Sequence, residues 1–368
     1  MSYRVALITP YALSVYGGVQ EQALAMSREL SRRGHDVLVV APDQHDRSVY
    51  DTPARVERYG RLFSVPANGS RAPLTLSPWA ARRALNAVHR FGADVVHYHE
   101  PFAPLLAWSS LRAHPAAAVA TFHRSGDGPA LRLSGPLLRN LATHVDAWAA
   151  VSEAAAATIL KAAGVHAEVL FNGFEMERFV TTPRERSPVV TLLYIGRLED
   201  RKGVQHLVGA VRAHNARGAE QWRLVVLGDG PDRSRLEARA GQDRLILFVG
   251  AVDDGEKRAW LRRTNVLVAP STRGESFGLI LLEAMASETT VVASDITGYR
   301  GVVGNFGHLF APGDEAALEK AISDALVSET DESVAAAKEH ARGWSMALLM
   351  DRYEALYADA RRRFQDAK

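Results

Sequence analysis

Two carboxylates eight residues apart, Glu275 and Glu283, stand in the string G-E-S-F-G-L-I-L-L-E-A-M-A. The residues before them, Asn265–Pro270 (N-V-L-V-A-P), read as a short buried strand, and Ser271–Gly274 as a polar turn. Phe277–Ala286 has helical composition and no proline. Glu275 is therefore expected at or just before a helix N-terminus. Glu283 is expected about two turns along, on nearly the same face. The backbone N–H groups of Ser276, Phe277 and Gly278 are then unpaired donors at a positive dipole end, which suits a phosphate. One carboxylate beside that phosphate can accept bonds from sugar hydroxyls, and the other can grip a ribose diol. The bland reading is a capping glutamate followed by a helix with one exposed glutamate.

Other groups sit at similar strand-to-helix junctions. Tyr16-Gly17-Gly18-Val19-Gln20 follows the first apolar strand and opens a helix. Adjacent glycines let backbone approach a ligand where side chains clash, or simply make a tight turn. The string is not G-x-G-x-x-G, so a dinucleotide cofactor is unsupported. His123 ends the apolar run A-V-A-T-F-H, with its imidazole expected at the mouth of the sheet or bonded to a neighbouring loop. His97-Tyr98-His99-Glu100 puts two imidazoles on one face of an extended segment, but no further metal-ligand set accompanies them. No metal site is expected. Gly196–Gly203 (G-R-L-E-D-R-K-G) holds three cations. Arg197 can fork two phosphate oxygens and Lys202 can act as a point charge, unless the loop is solvated and internally paired. In V-D-D-G-E-K, Asp254 and Lys257 offer an acceptor and a donor that suit guanine, while Asp253 or Asp254 can instead cap a helix.

The elements that must position these groups follow from the apolar runs. Strands are expected at Val5–Thr9, Asp36–Ala41, Asp94–His97, Ala117–Phe122 and Ala147–Ser152, with helices between them. The alternation restarts at Val189–Ile195 and continues through Arg223–Gly228, Leu245–Val249, Val266–Ala269 and Thr290–Ser294. Two such series mean two doubly wound α/β domains with parallel sheets. The expected division is 1–171, 172–344 and a C-terminal helix in 345–368 that packs back towards the first domain. Ligands in such sheets bind beyond the C-terminal strand ends, so a cleft between facing domains is expected.

With 368 residues, 47% apolar and 23% charged, the composition is that of an ordinary globular protein. Net charge +2 argues against nucleic acid as the main partner. No cysteine is present, so thiolate chemistry and disulfides are excluded. The N-terminal residues read as a strand rather than a signal peptide, and no apolar run approaches the ~20 residues of a membrane span. A cytoplasmic protein is expected, with any membrane contact at the surface.

In this order the motifs resemble the retaining glycosyltransferases of family four, of GT-B architecture, along essentially the whole chain. The similarity is closest to the phosphatidylinositol mannosyltransferases of actinobacteria. It is carried by P-Y-x4-Y-G-G-V-Q at Pro10–Gln20, A-N-G-S at Ala67–Ser70, V-V-H-Y-H-E-P at Val95–Pro101, A-T-F-H-R-S at Ala120–Ser125, F-N-G-F at Phe171–Phe174 and G-E-S-F-G at Gly274–Gly278. The resemblance implies transfer of a hexose, mannose from GDP-mannose, to a lipid-linked acceptor such as phosphatidylinositol. It implies that Gly17 and Gly18 shape the loop near the donor phosphate and that His123 bonds a donor-sugar hydroxyl. Arg197 and Lys202 would hold the diphosphate, Glu275 the sugar and Glu283 the ribose, with Asp254 and Lys257 by the base. Asn68, Ser70 and Arg71 would approach the acceptor head group. Trp79, Arg82 and Arg83 would face an anionic membrane surface at the inner face of the plasma membrane. No cofactor and no essential divalent metal are expected, because the cations and the helix end can balance the leaving diphosphate. A soluble sugar or small-metabolite acceptor with another nucleotide sugar is the alternative, and a nucleotide-sugar-binding protein without catalysis is a further one.

Overall fold

The computed structural model describes residues 2–13, 18–42, 51–59, 63–67, 70–74, 78–102, 111, 116–123, 135–180, 185, 189–218, 220–275 and 277–367. They divide into two compact units, Met1–Gly173 with Met346–Lys368, and Phe174–Ser345.

In the first unit, β1 (Arg4–Ile8), β2 (Asp36–Ala41) and β3 (Arg55–Arg58) join β6 (Val95–His99), β7 (Ala117–Phe122), β8 (Ala147–Ala150) and β9 (Glu168–Val169). Their order is β3-β2-β1-β6-β7-β8-β9, and every pair is parallel. β4 (Phe63–Ala67) and β5 (Ser70–Leu74) form a separate antiparallel hairpin. Side chains alternate across a strand, and both faces of this sheet are covered. Ala6, Ile8, Val96 and Tyr98 pack on one face with the helices Pro78–Phe91 and Glu153–Ala163. Val5, Leu7, Val95 and Val119 pack on the other with Gly18–Arg32 and the C-terminal helix, Met346–Asp366. That last helix contributes Leu349, Met350, Tyr353 and Tyr357 to the core.

The second unit repeats the plan. β10 (Thr191–Ile195), β11 (Arg223–Leu227), β12 (Ile246–Gly250), β13 (Val266–Ala269), β14 (Thr290–Ser294) and β15 (His308–Phe310) are parallel in the order β12-β11-β10-β13-β14-β15. Both orders reverse direction next to the first strand, between β1 and β6 and between β10 and β13. Loops leaving the C-terminal ends at such a switch point diverge and leave room for a ligand.

The helix Pro78–Phe91 buries Ala81, Ala84, Ala87, Val88 and Phe91 against the sheet. Val88 belongs to the core of this unit. Trp79, at 77% relative exposure, remains outside, as do Arg82, Arg83, His89 and Arg90. Among the described residues no helix is long and apolar enough to cross a membrane.

Candidate active site

The loops after β10 and β13 meet at the second unit's switch point. Arg197 follows β10, stands about half exposed and pairs with Glu199 at 3.1 Å. Glu199 also receives Arg201 at 3.0 Å. Arg201 reaches across to Glu275 at 2.9 Å, and Lys202 Nζ lies 2.6 Å from the same Oε1. Ser271 Oγ donates towards that oxygen at 3.4 Å and bonds Tyr299 at 3.0 Å. Charges therefore alternate along Arg197, Glu199, Arg201, Glu275 and Lys202. Arg201 was not assigned a role from sequence, because an adjacent Arg-Lys pair gives no sign of which cation turns inward. Glu275 also borders a pocket of about 410 Å³, shared with Thr272, Arg273 and the start of the helix Thr297–Val303.

Two glycines set this geometry. Gly203 (φ +70°) closes the turn Asp200–Lys202, and a Cβ there would stand 1.9 Å from the Pro270 carbonyl oxygen. The β10 loop thus touches the end of β13 with bare backbone. Gly203→Ala is expected to destabilise the second unit by on the order of 3 kcal/mol or more, from left-handed strain plus the clash. An unchanged urea midpoint would refute it. Gly278 (φ +84°) lies against the Tyr299 ring, 2.7 Å from a notional Cβ.

Gly278 also corrects the expectation for the two glutamates. The helix is Leu279–Ala286, with Gly278 at its N-cap. A left-handed residue cannot lie within a right-handed helix, so Glu275 belongs to the preceding loop and does not share a helix face with Glu283. Phe277 lies before the helix too, buried with its ring 5.1 Å from Trp344. Ser276 is outside the described residues. Of the three expected phosphate donors, Gly278 stands at the helix N-terminus as its N-cap and Phe277 precedes it.

Glu283 works in a second network. Its Oε2 lies 3.0 Å from Lys257 Nζ, which also pairs with Asp254 at 3.0 Å and stands 5.3 Å from the Phe179 ring centre. Asp254 further accepts Arg258 at 2.6 Å and Arg178 at 2.8 Å. Burial opposes its charge, but Lys257, Arg178 and Arg258 outweigh burial and hold its pKa below the ordinary aspartate value. Asp253, not Asp254, caps the helix Asp254–Arg263 by accepting from the Glu256 N–H at 2.8 Å.

In the first unit three histidines gather at the ends of β6 and β7. His97 is fully buried and bonds Tyr357 through Nδ1 at 2.8 Å and Thr121 through Nε2 at 2.7 Å. Thr121 meets Tyr353 at 2.8 Å. His99 stacks on His97 at 4.6 Å, and its Nδ1 lies 3.1 Å from His123 Nε2. Burial holds the pKa of all three below the ordinary histidine value, His99 at about 4. His123 keeps part of its surface exposed. Its backbone N–H donates to the buried Glu100 carboxylate at 2.7 Å. Among the described residues no group of three or more His, Cys, Asp or Glu is arranged to hold a metal ion.

Of the remaining candidates, Gly18 opens the helix Gly18–Arg32, and Gly17 lies outside the described residues. Asn68 also lies outside them, between β4 and β5. The backbone of Ser70 and Arg71 pairs with Ala67 and Pro66 across the hairpin.

Comparison with known proteins agrees along the chain. Glycosyltransferase Family 4 matches residues 16–178, and Glycosyl transferases group 1 matches residues 189–328. A phosphatidyl-myo-inositol mannosyltransferase of Mycobacterium leprae is 34% identical over 98% of this chain and 92% of its own. Among solved structures, a glycosyltransferase from Rickettsia africae matches with TM-score 0.75 at 17% identity, over 98% of each chain. Anabaena HepE, in complex with UDP and glucose, matches with TM-score 0.74 at 18% identity, over 97% of this chain and 100% of its own. These two show the fold, GT-B with two Rossmann-like domains.

Proposed function

This chain belongs to glycosyltransferase family 4, and we propose that it transfers mannose from GDP-mannose to a hydroxyl of phosphatidylinositol, with retention of anomeric configuration. The observation that carries this reading is the 34% identity to a phosphatidyl-myo-inositol mannosyltransferase over 98% of the chain. Physical chemistry supports it at the switch point of the second unit. A departing diphosphate develops charge that fixed cations can balance. Arg197 and Lys202 are the groups for this, Arg197 with its guanidinium half exposed and Lys202 held by Glu275. Glu275 accepts from sugar hydroxyls and Glu283 from the ribose. His123 bonds a donor-sugar hydroxyl. The two glutamates position substrate and do not act as a glycosidase pair. The acceptor proton goes to the leaving phosphate, so no enzymic base and no divalent metal are assigned.

The deciding assay supplies radiolabelled GDP-mannose and phosphatidylinositol vesicles. Label in the organic phase supports the reading. Label transferred only to an aqueous sugar or metabolite would replace the lipid acceptor with a soluble one, and no transfer would refute the reading.

Donor choice rests on Asp254 and Lys257 beside the base. GDP is expected to bind more tightly than UDP. Because Lys257 also anchors Glu283, Lys257→Ala should weaken both nucleotides, by about 1–3 kcal/mol, and GDP more than UDP. Calorimetry that ranks UDP first in the parent protein would overturn guanine.

The same reading places the protein peripherally on the cytoplasmic face of a membrane. Trp79 with Arg82 and Arg83 forms the contact, at about 1 kcal/mol per cation. Binding should be reversible and salt-sensitive. Equal sedimentation with anionic and neutral vesicles would remove it.

A further inference from the structure

We infer that His99 is a positioning residue that holds His123 in the tautomer with its proton on Nδ1, so that His123 offers sugar oxygen an N–H donor. The inference rests on the function proposed above, in which His123 meets the donor sugar.

The geometry begins with adjacent strands. β6 and β7 are parallel, and His99 pairs in register with Thr121, two residues before His123. The two rings lie 5.3 Å apart, tilted by 34°, with His99 Nδ1 3.1 Å from His123 Nε2. A hydrogen bond between two imidazole nitrogens needs a proton on one and a lone pair on the other. Burial keeps both rings neutral at pH 7, so each carries a single proton. Two arrangements remain. In one, His99 donates from Nδ1 and His123 carries its proton on Nδ1. In the other, His123 donates from Nε2 and His99 carries its proton on Nε2.

The far nitrogen of His99 decides between them. His99 Nε2 is buried and has no hydrogen-bond partner among the described residues. A proton there would be a buried donor without an acceptor, the rarer and costlier orphan. A bare lone pair is tolerated better. The proton of His99 therefore lies on Nδ1, pointing at His123.

The surroundings leave little freedom. His97 cannot serve His99, since Tyr357 and Thr121 take both its nitrogens, and it forms a stacked wall at 4.6 Å and 20°. Glu100 accepts from the backbone N–H of His123 and so fixes the main chain there. Glu100 itself has φ +52°, a conformation non-glycine residues seldom hold.

The test reads tautomers directly. In protein labelled with ¹⁵N-histidine, long-range ¹H–¹⁵N correlation at pH 7.5 should show His123 protonated at Nδ1 and bare at Nε2, with His123→Ala supplying the assignment. A His123 protonated at Nε2 overturns the inference, whatever the activity. His99→Leu removes the donor. It should mix the His123 tautomers and lower kcat by about tenfold or more, while KM for the sugar nucleotide stays within about twofold. His99→Asn, whose amide nitrogen falls near Nδ1, should restore most of kcat, which a packing role alone would not do. Unchanged kcat in His99→Leu with the parent tautomer also overturns it. If His99→Leu does not fold, the parent spectrum and His99→Asn decide. An Nδ1-protonated His123 in a protein that transfers no sugar would sink the proposed function and leave the tautomer standing.

Discussion

Glutamine at position 275 is expected to cut sugar transfer by about a hundredfold or more while GDP binds as tightly as before or more tightly. The first half follows from the hexose contact proposed for this carboxylate. A charged acceptor aimed at substrate hydroxyls strengthens as charge develops, and losing one such positioned group typically costs about 2.7–4 kcal/mol. The second half follows from the ion pairs at Glu275. Oε1 of Glu275 now takes Lys202 at 2.6 Å and Arg201 at 2.9 Å. An incoming diphosphate must compete with that carboxylate for Lys202. Glutamine keeps the shape and releases the cation, which favours the diphosphate by up to about 1 kcal/mol for a partly exposed pair. Steady-state turnover and GDP calorimetry on one preparation separate the two effects. Turnover equal to the parent would reduce Glu275 to an anchor for two cations. A large loss of GDP affinity would mean that Lys202 needs Glu275 to face the phosphate at all.

That split was only half visible in the sequence. The strands were legible because parallel strands buried on both faces read as near-continuous apolar runs, such as Val37–Ala41 and Ala117–Ala120. The hairpin Phe63–Leu74 was not, since Pro66 and Pro73 break the pattern of a strand. The alternating carboxylates and cations of the second unit could be named by type, but their partners could not. Helical composition from Phe277 puts Glu275 at or just before a helix N-terminus and on nearly the same face as Glu283, whereas the left-handed Gly278 delays the helix to Leu279 and leaves Glu275 in the loop. Arg201 and Lys202 meet Glu275 only because β10 and β13 are neighbours, a fact of strand order that spacing does not carry. The histidine cluster is less legible still. His97 bonds a tyrosine 260 residues away, on a helix whose periodicity says that it packs but not where.

This cluster makes the first unit sensitive to mild acid, and the loss should begin at a pH where carboxylates are still ionised. His97 and His99 are fully buried and neutral, with His97 well below the ordinary value and His99 at about 4. In the unfolded chain both titrate near 6.5. A native pKa held below the unfolded one gives stability that is present above about pH 6.5 and is lost as pH falls towards the native value. Each such proton costs ~1.4 kcal/mol per pH unit once the unfolded chain is protonated, so two give about 3 kcal/mol between pH 7.5 and 5.5. His123 adds to this in the same direction, by less, because part of it meets solvent. The groups around the cluster do not offset it. Tyr353 and Tyr357 are pushed above their ordinary range by burial and stay neutral, and Glu100 is engaged by the His123 backbone. Depressed carboxylates such as Asp254 act at lower pH. Urea midpoints followed by circular dichroism at pH 7.5, 6.5 and 5.5 should fall steadily, and His99→Asn should flatten the slope by removing one of the titrating rings. Midpoints that stay level across this range would mean that the buried histidines take up protons in the folded protein, and the neutral hydrogen-bond chain from Tyr357 to His97 would have to be redrawn.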